Sequence, residues 1–368
     1  MTARAWLLFA AVSVVWGIPY FFIKVAVEAG VPPGFVAWSR VAMAALLLLP
    51  LAWRRGALRG LAGRWRAVAA YTACEVAVPF VLIAAGEQYI ASSLAAILIA
   101  SMPLMVALLS ARLAAADRPT GLRLAGLVLG FGGVVALLGI DVAGRPGELL
   151  GAALVLVATL CYATATIIVD RRLGDLDPMG PIAASLGLAT LVLAPAAVLA
   201  PPDGLPSGAA LGSLVVLGVV CTALGLVLFF GLVVEAGPSR AAVITYVNPV
   251  VAVVLGVVAL DERLGATAVA GLLAILAGSW LATGGRNDPR RRSGAPDAGG
   301  RGVEGRRAEK GRAGHRASSA WTRTRHLRRA GAWLASEARW ARRSCWCRTR
   351  WASARSSAMW SATSCCFM

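Results

Sequence analysis

AAVITYVNPVVAVVLGVVALDERLG, residues 241–265, is an apolar stretch of helical length that Pro249 interrupts near its centre. An earlier stretch, SLAAILIASMPLMVALLSARL at 93–113, carries Pro103 at the equivalent place, 146 residues before Pro249. Proline lacks an N–H and kinks a helix, and a bilayer tolerates such a break only beside other helices or a wet cavity. The pair predicts two kinked transmembrane helices that face each other across a pathway between two halves.

The composition is that of an integral membrane protein. Mean hydropathy is +0.73 and 58% of the residues are hydrophobic. Runs of about 20 apolar residues, enough to cross a hydrocarbon core of ~30 Å, recur as far as residue 285. The fold class expected is all-α, with ten transmembrane helices, the first uncleaved. The ten spans are predicted at 6–27, 34–53, 67–85, 92–111, 121–140, 149–169, 180–200, 209–234, 241–260 and 266–283.

The two halves resemble each other at one constant offset. With a shift of 146 residues, Trp16 falls on Tyr162, Lys24 on Asp170, Pro32 on Pro178, Ser93 on Ser239 and Gly132 on Gly278. Five spans are an odd number, so residues 1–142 and 148–285 would enter the bilayer in opposite directions as inverted repeats. Chance matching between Ala-, Leu- and Val-rich strings is the alternative. Gly126 with Gly130, and Gly271 with Gly278, are expected to permit close helix contacts.

The charge of +18 is concentrated in one region. Residues 286–368 hold 20 of the 36 Lys and Arg and 5 of the 18 acidic residues, so the rest of the chain carries only +3. That distribution argues against a nucleic-acid partner. Among the short connectors between spans, one alternate set holds eleven arginines and the other only two. Because basic loops stay inside, both termini are predicted to be cytoplasmic.

Residues 286–368 form a basic segment without sustained apolar periodicity. It is interpreted as a disordered tail, either an out-of-frame extension or a genuine one. Cys345 and Cys347 have no second pair at finger spacing, and both histidines are distant. We therefore expect no metal, no cofactor and no disulfide framework.

Charged groups within the spans need a physical reason, because charges in a bilayer are costly. Glu75, near the middle of the third span, is a proton-coupling candidate. The alternatives are a salt bridge to Arg40 and a hydrogen-bonded structural carboxyl. Lys24 and Arg40 are expected to extend toward the interfaces, and Glu87 to be solvated at a span end. With Glu75, the predicted substrate pathway comprises Trp16, Tyr20, Tyr162, Thr166, Tyr246 and Asn248. The predicted helix kinks are Pro19, Pro79, Pro103 and Pro249. Residues 261–263 are expected to be a cap and turn.

Three stretches carry a family resemblance: VWGIPYFFIKVAVEAGVPPGFVAWSRVAMAALLLLP, EQYIASSLAAILIASMPLMVALL and AAVITYVNPVVAVVLGVVALDERLGATAVAGLLAILAG. In order and spacing they resemble EamA-type transporters of the drug/metabolite transporter superfamily, over residues 6–283. The resemblance implies alternating access in a bacterial inner membrane and outward movement of amino acids, metabolites or toxic organic compounds. Its family-like positions are Trp16, Gly17, Lys24, Arg40, Pro103 and 248–263. The partners expected are lipids, a small-molecule substrate and protons, for a monomer or homodimer.

Two other classes of function remain open at this point. An intramembrane enzyme would need a nucleophile, a base and an electrostatic stabiliser, yet residues 1–285 contain no histidine, no GxSxG and no HExxH. Only carboxylate chemistry through Glu75 would remain. A lipid-handling or structural helper would lack a wet central cavity. Transport predicts a cavity lined by Trp16, Glu75, Tyr162 and Tyr246.

Overall fold

A computed structural model describes residues 1–113, 119–139 and 145–283 of the chain. Within these ranges all regular secondary structure is helical, and there is no strand. The predicted tail at 286–368 lies outside the described residues.

The described part of the first half forms eight α-helices. They are α1 Ala3–Gly17, α2 Pro19–Glu28, α3 Pro33–Arg54, α4 Trp65–Thr72, α5 Val78–Gly86, α6 Ser92–Ile99, α7 Met102–Leu113 and α8 Leu122–Leu137. Consecutive helices combine into longer spans wherever the break between them is short.

Between residues 145 and 283 the chain forms seven more α-helices. They are α9 Pro146–Ile168, α10 Met179–Leu199, α11 Gly208–Val215, α12 Gly225–Ala236, α13 Pro238–Ala241, α14 Ile244–Ala259 and α15 Ala266–Thr283. In addition, π-helical turns occupy Ala73–Ala77, Val169–Leu173 and Val216–Leu224.

Eight continuous helical spans of the described residues are long and apolar enough to cross a membrane. They are Ala3–Glu28, Pro33–Arg54, Ala62–Gly86, Ser92–Leu113, Pro146–Leu173, Met179–Leu199, Gly208–Ala236 and Ala266–Thr283. The two other predicted spans correspond to α8 and α14, which are apolar but only 16 residues long. The protein is therefore a multi-pass membrane protein, and the count of ten stays a prediction.

Prolines coincide with irregularities in several spans. Pro19 begins α2 directly after the break that ends α1, and Pro103 follows the break between α6 and α7. Pro79 follows the π-turn Ala73–Ala77, in which the Val78 N–H bonds to the Ala73 carbonyl five residues back. Pro249 lies buried inside α14. Each proline removes one backbone donor. A widened or interrupted turn accommodates that loss beside Pro19, Pro79 and Pro103, whereas α14 continues through Pro249.

Among the described helices, α8 and α15 pack most extensively on each other. An ideal Cβ built on Gly278 would lie 2.5 Å from both the Gly126 carbonyl oxygen and the Gly130 nitrogen. The glycines therefore allow the two backbones to touch, as expected for close packing in a bilayer. Helices α3 and α10 also pack extensively, and α6 packs on α14. The first two of these pairs join helices that the offset of 146 residues relates, and α14 is related to α7, which follows α6 in the same span.

Candidate functional site

Arg40 projects from α3 into the interior of the bundle. Its Nε donates a hydrogen bond of 2.7 Å to the Thr222 hydroxyl, which lies in the π-turn Val216–Leu224. Its guanidinium carbon stands 4.0 Å from the centre of the Phe80 ring, a cation–π distance. The expectation that Arg40 extends toward the interface is therefore wrong. Its side chain joins α3 to α5 and to the second half of the chain.

Trp16 contacts the same π-turn from α1. Its indole N–H donates to the Cys221 carbonyl at 3.1 Å, and its ring stacks on Phe229 at 4.8 Å. A Cβ built on Gly225 would lie 2.5 Å from Trp16 Nε1, so glycine at that position leaves room for the indole. Trp16 and Arg40 are thus held by adjacent residues, Cys221 and Thr222.

Three more predicted pathway residues lie near Arg40. Tyr20 on α2 and Tyr162 on α9 are both within electrostatic range of the guanidinium. Tyr162 is also within range of Glu75, which sits partly exposed in the π-turn Ala73–Ala77. The structure therefore places Tyr20 and Tyr162 near Arg40 and Glu75 near Tyr162, while Trp16 bonds to the residue beside Thr222.

Glu75 does not pair with Arg40. The side-chain ion pairs of the described residues are Lys24–Glu28, Arg64–Asp175 and Arg145–Glu148. The structural interpretation of Glu75 as a partner of Arg40 therefore lacks support in this conformation.

The other three predicted pathway residues make contacts elsewhere. Thr166 is exposed and donates to the Tyr162 carbonyl of its own helix. The Tyr246 hydroxyl meets the Thr283 hydroxyl at 3.0 Å, which ties α14 to the end of α15. Asn248, with its amide nitrogen as donor, reaches the carbonyls of Ser13 at 3.2 Å and Ile244 at 3.0 Å. These contacts join helices, and the roles of the three side chains in a pathway stay predictions.

A second polar cluster lies where α2, α5 and α6 end or begin. The Lys24 ammonium donates to the carbonyls of Glu87 at 2.8 Å and Ile90 at 3.0 Å, beyond the end of α5. It also lies 3.4 Å from the Glu28 carboxylate. A cation is favoured at a helix C-terminus, where carbonyls are left without helical partners. The Lys24 ammonium is therefore bound by protein groups and does not simply extend toward the interface.

The Glu87 carboxyl is buried in this cluster. Its side chain is 0% exposed and neither carboxyl oxygen has a hydrogen-bond partner. The expectation that Glu87 is solvated is therefore wrong. Burial raises the pKa of Glu87 well above its usual range, although nearby Lys24 opposes the shift. The sequence shows only that Glu87 follows Gly86 at the end of a helix. That position does not indicate which neighbouring helices bury the Glu87 side chain.

Glu262 bonds to the N-terminus of α6. Its carboxylate accepts the backbone N–H of Ser92 at 2.7 Å and that of Ser93 at 3.0 Å. The expected cap at 261–263 is thus formed on a helix 170 residues earlier in the chain, not on the helix that precedes it. A Cβ on Gly256 would collide with the Glu262 carboxylate, so Gly256 leaves the space for this contact.

Two cavities lie away from these clusters. One of about 190 Å³ is lined by residues 29–31 and 202–207, and another of about 340 Å³ by apolar side chains of α7 and α8. Neither is lined by a predicted pathway residue. No group of three or more His, Cys, Asp or Glu that could hold a metal occurs in the ranges that the structure describes.

Comparison with known proteins gives a consistent result. The model of the EamA-like transporter family matches residues 3–139 and again residues 149–284. An uncharacterized transporter of Archaeoglobus fulgidus is 28% identical over 76% of this chain and 98% of its own length. The uncharacterized inner membrane transporter YedA of Escherichia coli K12 is 29% identical over 67% of this chain and 79% of its own.

Two further similarities extend this comparison. The uncharacterized transporter YvbV of Bacillus subtilis 168 is 25% identical, covering 74% of this chain and 89% of its own. A solved crystal structure of a protein matches with a TM-score of 0.55 at 18% identity, over 77% of this chain and 98% of the other. At that identity the similarity concerns the fold alone.

Proposed function

This chain belongs to the EamA-like transporter family, and on that basis we propose that it is a secondary transporter that exports small organic solutes by alternating access. The solutes expected are metabolites, amino acids or drugs with an apolar part. The observation that carries the proposal is the convergence of Arg40, Trp16, Tyr20 and Tyr162 from both halves of the chain. Polar groups at such an interface of two halves are typical of a transport site. The family is one of transporters, not of enzymes.

The proposed machinery is a pair of inverted five-helix repeats, at 1–142 and 148–285. Two matches to one family model and the packing of offset-related helices support this division. The offset also places Glu75 on Cys221 and Trp16 on Tyr162. The contact of Trp16 with Cys221 thus has a counterpart in the proximity of Tyr162 to Glu75.

The proposed location is a bacterial inner membrane with both termini in the cytoplasm. The arginine distribution supports the orientation, and an inner-membrane relative supports the location. One feature of the fold agrees with that orientation. Arg64 makes a bidentate contact with Asp175, and both residues lie in connectors assigned to the cytoplasmic side. The Arg64 guanidinium lowers the pKa of Asp175, so this contact persists at neutral pH.

Export is tested by comparing the solutes released by cells with and without the protein. Cells that produce the full chain are expected to accumulate at least one small organic solute in the medium, relative to matched cells carrying an empty vector. Untargeted mass spectrometry of medium and cell extract measures the difference. Identical profiles under growth on several carbon and nitrogen sources would contradict export.

We further propose that Glu75 carries the coupling proton. It lies in a π-turn, is partly exposed and has no ion-pair partner among the described residues. In proteoliposomes, Glu75→Gln is expected to abolish the response of solute flux to an imposed proton gradient, because glutamine cannot release a proton. Glu148→Gln, on the surface beside Arg145, is the control. Gradient-driven flux that is unchanged in Glu75→Gln would refute coupling through this residue.

A further inference from the structure

Two nitrogens of the Arg40 guanidinium are free to bind another group. Only Nε is bonded, to Thr222, while Nη1 and Nη2 contact no acceptor in the described residues and no carboxylate lies within ion-pair distance. Arg40 is only partly buried. Nη1 and Nη2 of Arg40 are not among the side-chain atoms that are both fully buried and without a partner. These two nitrogens therefore keep some exposed surface. The free edge is therefore accessible.

This arrangement holds a charge in place without neutralising it. The Thr222 hydroxyl fixes Nε, and the Phe80 ring at 4.0 Å fixes the plane of the guanidinium. A guanidinium stays charged in proteins, and an unpaired charge within a membrane-spanning segment is costly. Its two free nitrogens form a planar fork that matches the two oxygens of a carboxylate. An anion bound there would neutralise the charge and complete the hydrogen bonds.

The surroundings define what kind of anion fits. Phe80 supplies aromatic surface against the guanidinium, and Tyr20 and Tyr162, which pack on one buried cluster, lie within its electrostatic range. The neighbouring cation, Lys24, is already engaged by Glu28 and by two carbonyls. Because Arg40 offers a single guanidinium at this site and the ammonium of Lys24 is already engaged, a monoanion is favoured over a dianion.

We propose that Arg40 binds the carboxylate of the transported solute, and that the substrates are therefore monocarboxylates with an apolar part. The inference rests on the proposed transport function and specifies its substrate class. In it, Thr222 and Phe80 orient the guanidinium, and the aromatic side chains accept the apolar part.

Three probes of nearly equal shape test the proposal on the purified full-length protein in detergent. They are 3-phenylpropionate, its neutral amide 3-phenylpropanamide and the cation 2-phenylethylamine. Protection against thermal unfolding reports binding, since a ligand that binds only the folded state raises the Tm. The carboxylate is expected to raise the Tm and the other two to act at least about tenfold more weakly. Equal effects, a stronger effect of the amine, or no effect of the carboxylate would each overturn the proposal.

Variants assign the effect to Arg40. Arg40→Gln is expected to weaken carboxylate binding by about 10- to 100-fold, as expected for loss of a charge-assisted bidentate contact. Arg40→Lys keeps the charge but not the fork and should give an intermediate value. Arg59→Gln, on an exposed turn, should bind as the unchanged protein does. Undiminished carboxylate binding by Arg40→Gln would overturn the assignment.

The transport function and the carboxylate site at Arg40 can be refuted separately. If the unchanged protein binds the carboxylate and Arg40→Gln does not, while cells export no solute, the transport function fails and the site stands. If export occurs but is undiminished in Arg40→Gln and not selective for carboxylates, the site fails and transport stands. Should Arg40→Gln not fold, the selectivity of the unchanged protein among the three probes and the Arg40→Lys value decide the matter.

Discussion

Replacing Gly278 by alanine is expected to prevent the close packing of α8 on α15 and to destabilise the fold severely. The added Cβ would lie 2.5 Å from the Gly126 carbonyl oxygen and 2.6 Å from the Gly130 Cα. These are backbone atoms, so no side-chain rotation relieves the collision and the two helices must separate. Overpacking costs typically about 1–3 kcal/mol, and rigid backbone neighbours place this case at or above that limit. Thermal unfolding in detergent and the fraction of protein in a monodisperse peak measure the loss.

The matched control is Gly132→Ala. Gly132 occupies the offset-related position in the first half, but a Cβ there has nothing within 4 Å. Alanine is also the better helix former, by about 0.5–1 kcal/mol. This variant should therefore be neutral or slightly stabilised. A similar loss in both variants would show that helix propensity or expression, not the contact with α8, determines the result.

Replacing Glu262 by alanine is expected to weaken the attachment of α14 to the N-terminus of α6. Two backbone donors, at Ser92 and Ser93, would lose a charged acceptor at 2.7 and 3.0 Å. The loss of a helix cap costs about 0.5–2 kcal/mol, and hydrogen bonds to charged groups are stronger than neutral ones. We expect a loss of about 2–3 kcal/mol, measured as the shift in thermal unfolding. The variant Gly256→Ala should lower stability similarly, because its Cβ would displace the same carboxylate.

The same contact predicts how stability depends on pH. Burial on its own would raise the pKa of Glu262, but the hydrogen bonds from Ser93 and Ser92 outweigh it and lower the pKa. A carboxyl whose pKa is lower in the folded state stabilises the fold at any pH above its unfolded pKa, about 4.3 for glutamate. That stabilisation is lost as the pH falls through the folded pKa. When the pH is lowered from 5, Glu262→Gln should therefore lose less stability than the unchanged protein. The control is Asp261→Asn, at the exposed neighbouring carboxyl. An equal acid loss in Glu262→Gln and the unchanged protein would contradict this role.

Much of the fold could be predicted because the bilayer makes strong local demands. A run of apolar residues such as 209–234 must be helical to satisfy its backbone in lipid, and the structure has a continuous helix at Gly208–Ala236. Pro19 and Pro103 predicted interruptions where the helices do break. The predicted span at 241–260 is shorter in the structure, since α14 begins only at Ile244.

The candidate site was only partly predictable. The sequence indicates Trp16, Tyr20, Glu75 and Tyr162 as polar or aromatic groups at mid-depth, and Tyr20 and Tyr162 lie near Arg40. The central position of Arg40 itself was missed, because its place in the sequence does not indicate which way α3 is rotated. Glu87 was missed for a related reason. A residue after a helix end is ordinarily solvated, and here neighbouring helices cover it.

The sequence by itself determined that this protein is a multi-pass membrane protein, because hydrophobic length is a property of the chain alone. Only the tertiary structure decided which polar groups meet. Glu262 reaches Ser92, and Arg40 reaches Thr222, across 170 and 182 residues respectively. Such contacts depend on the rotation and depth of whole helices relative to one another. Those quantities arise from the packing of small residues such as Gly278 against a distant backbone, which the local pattern does not specify.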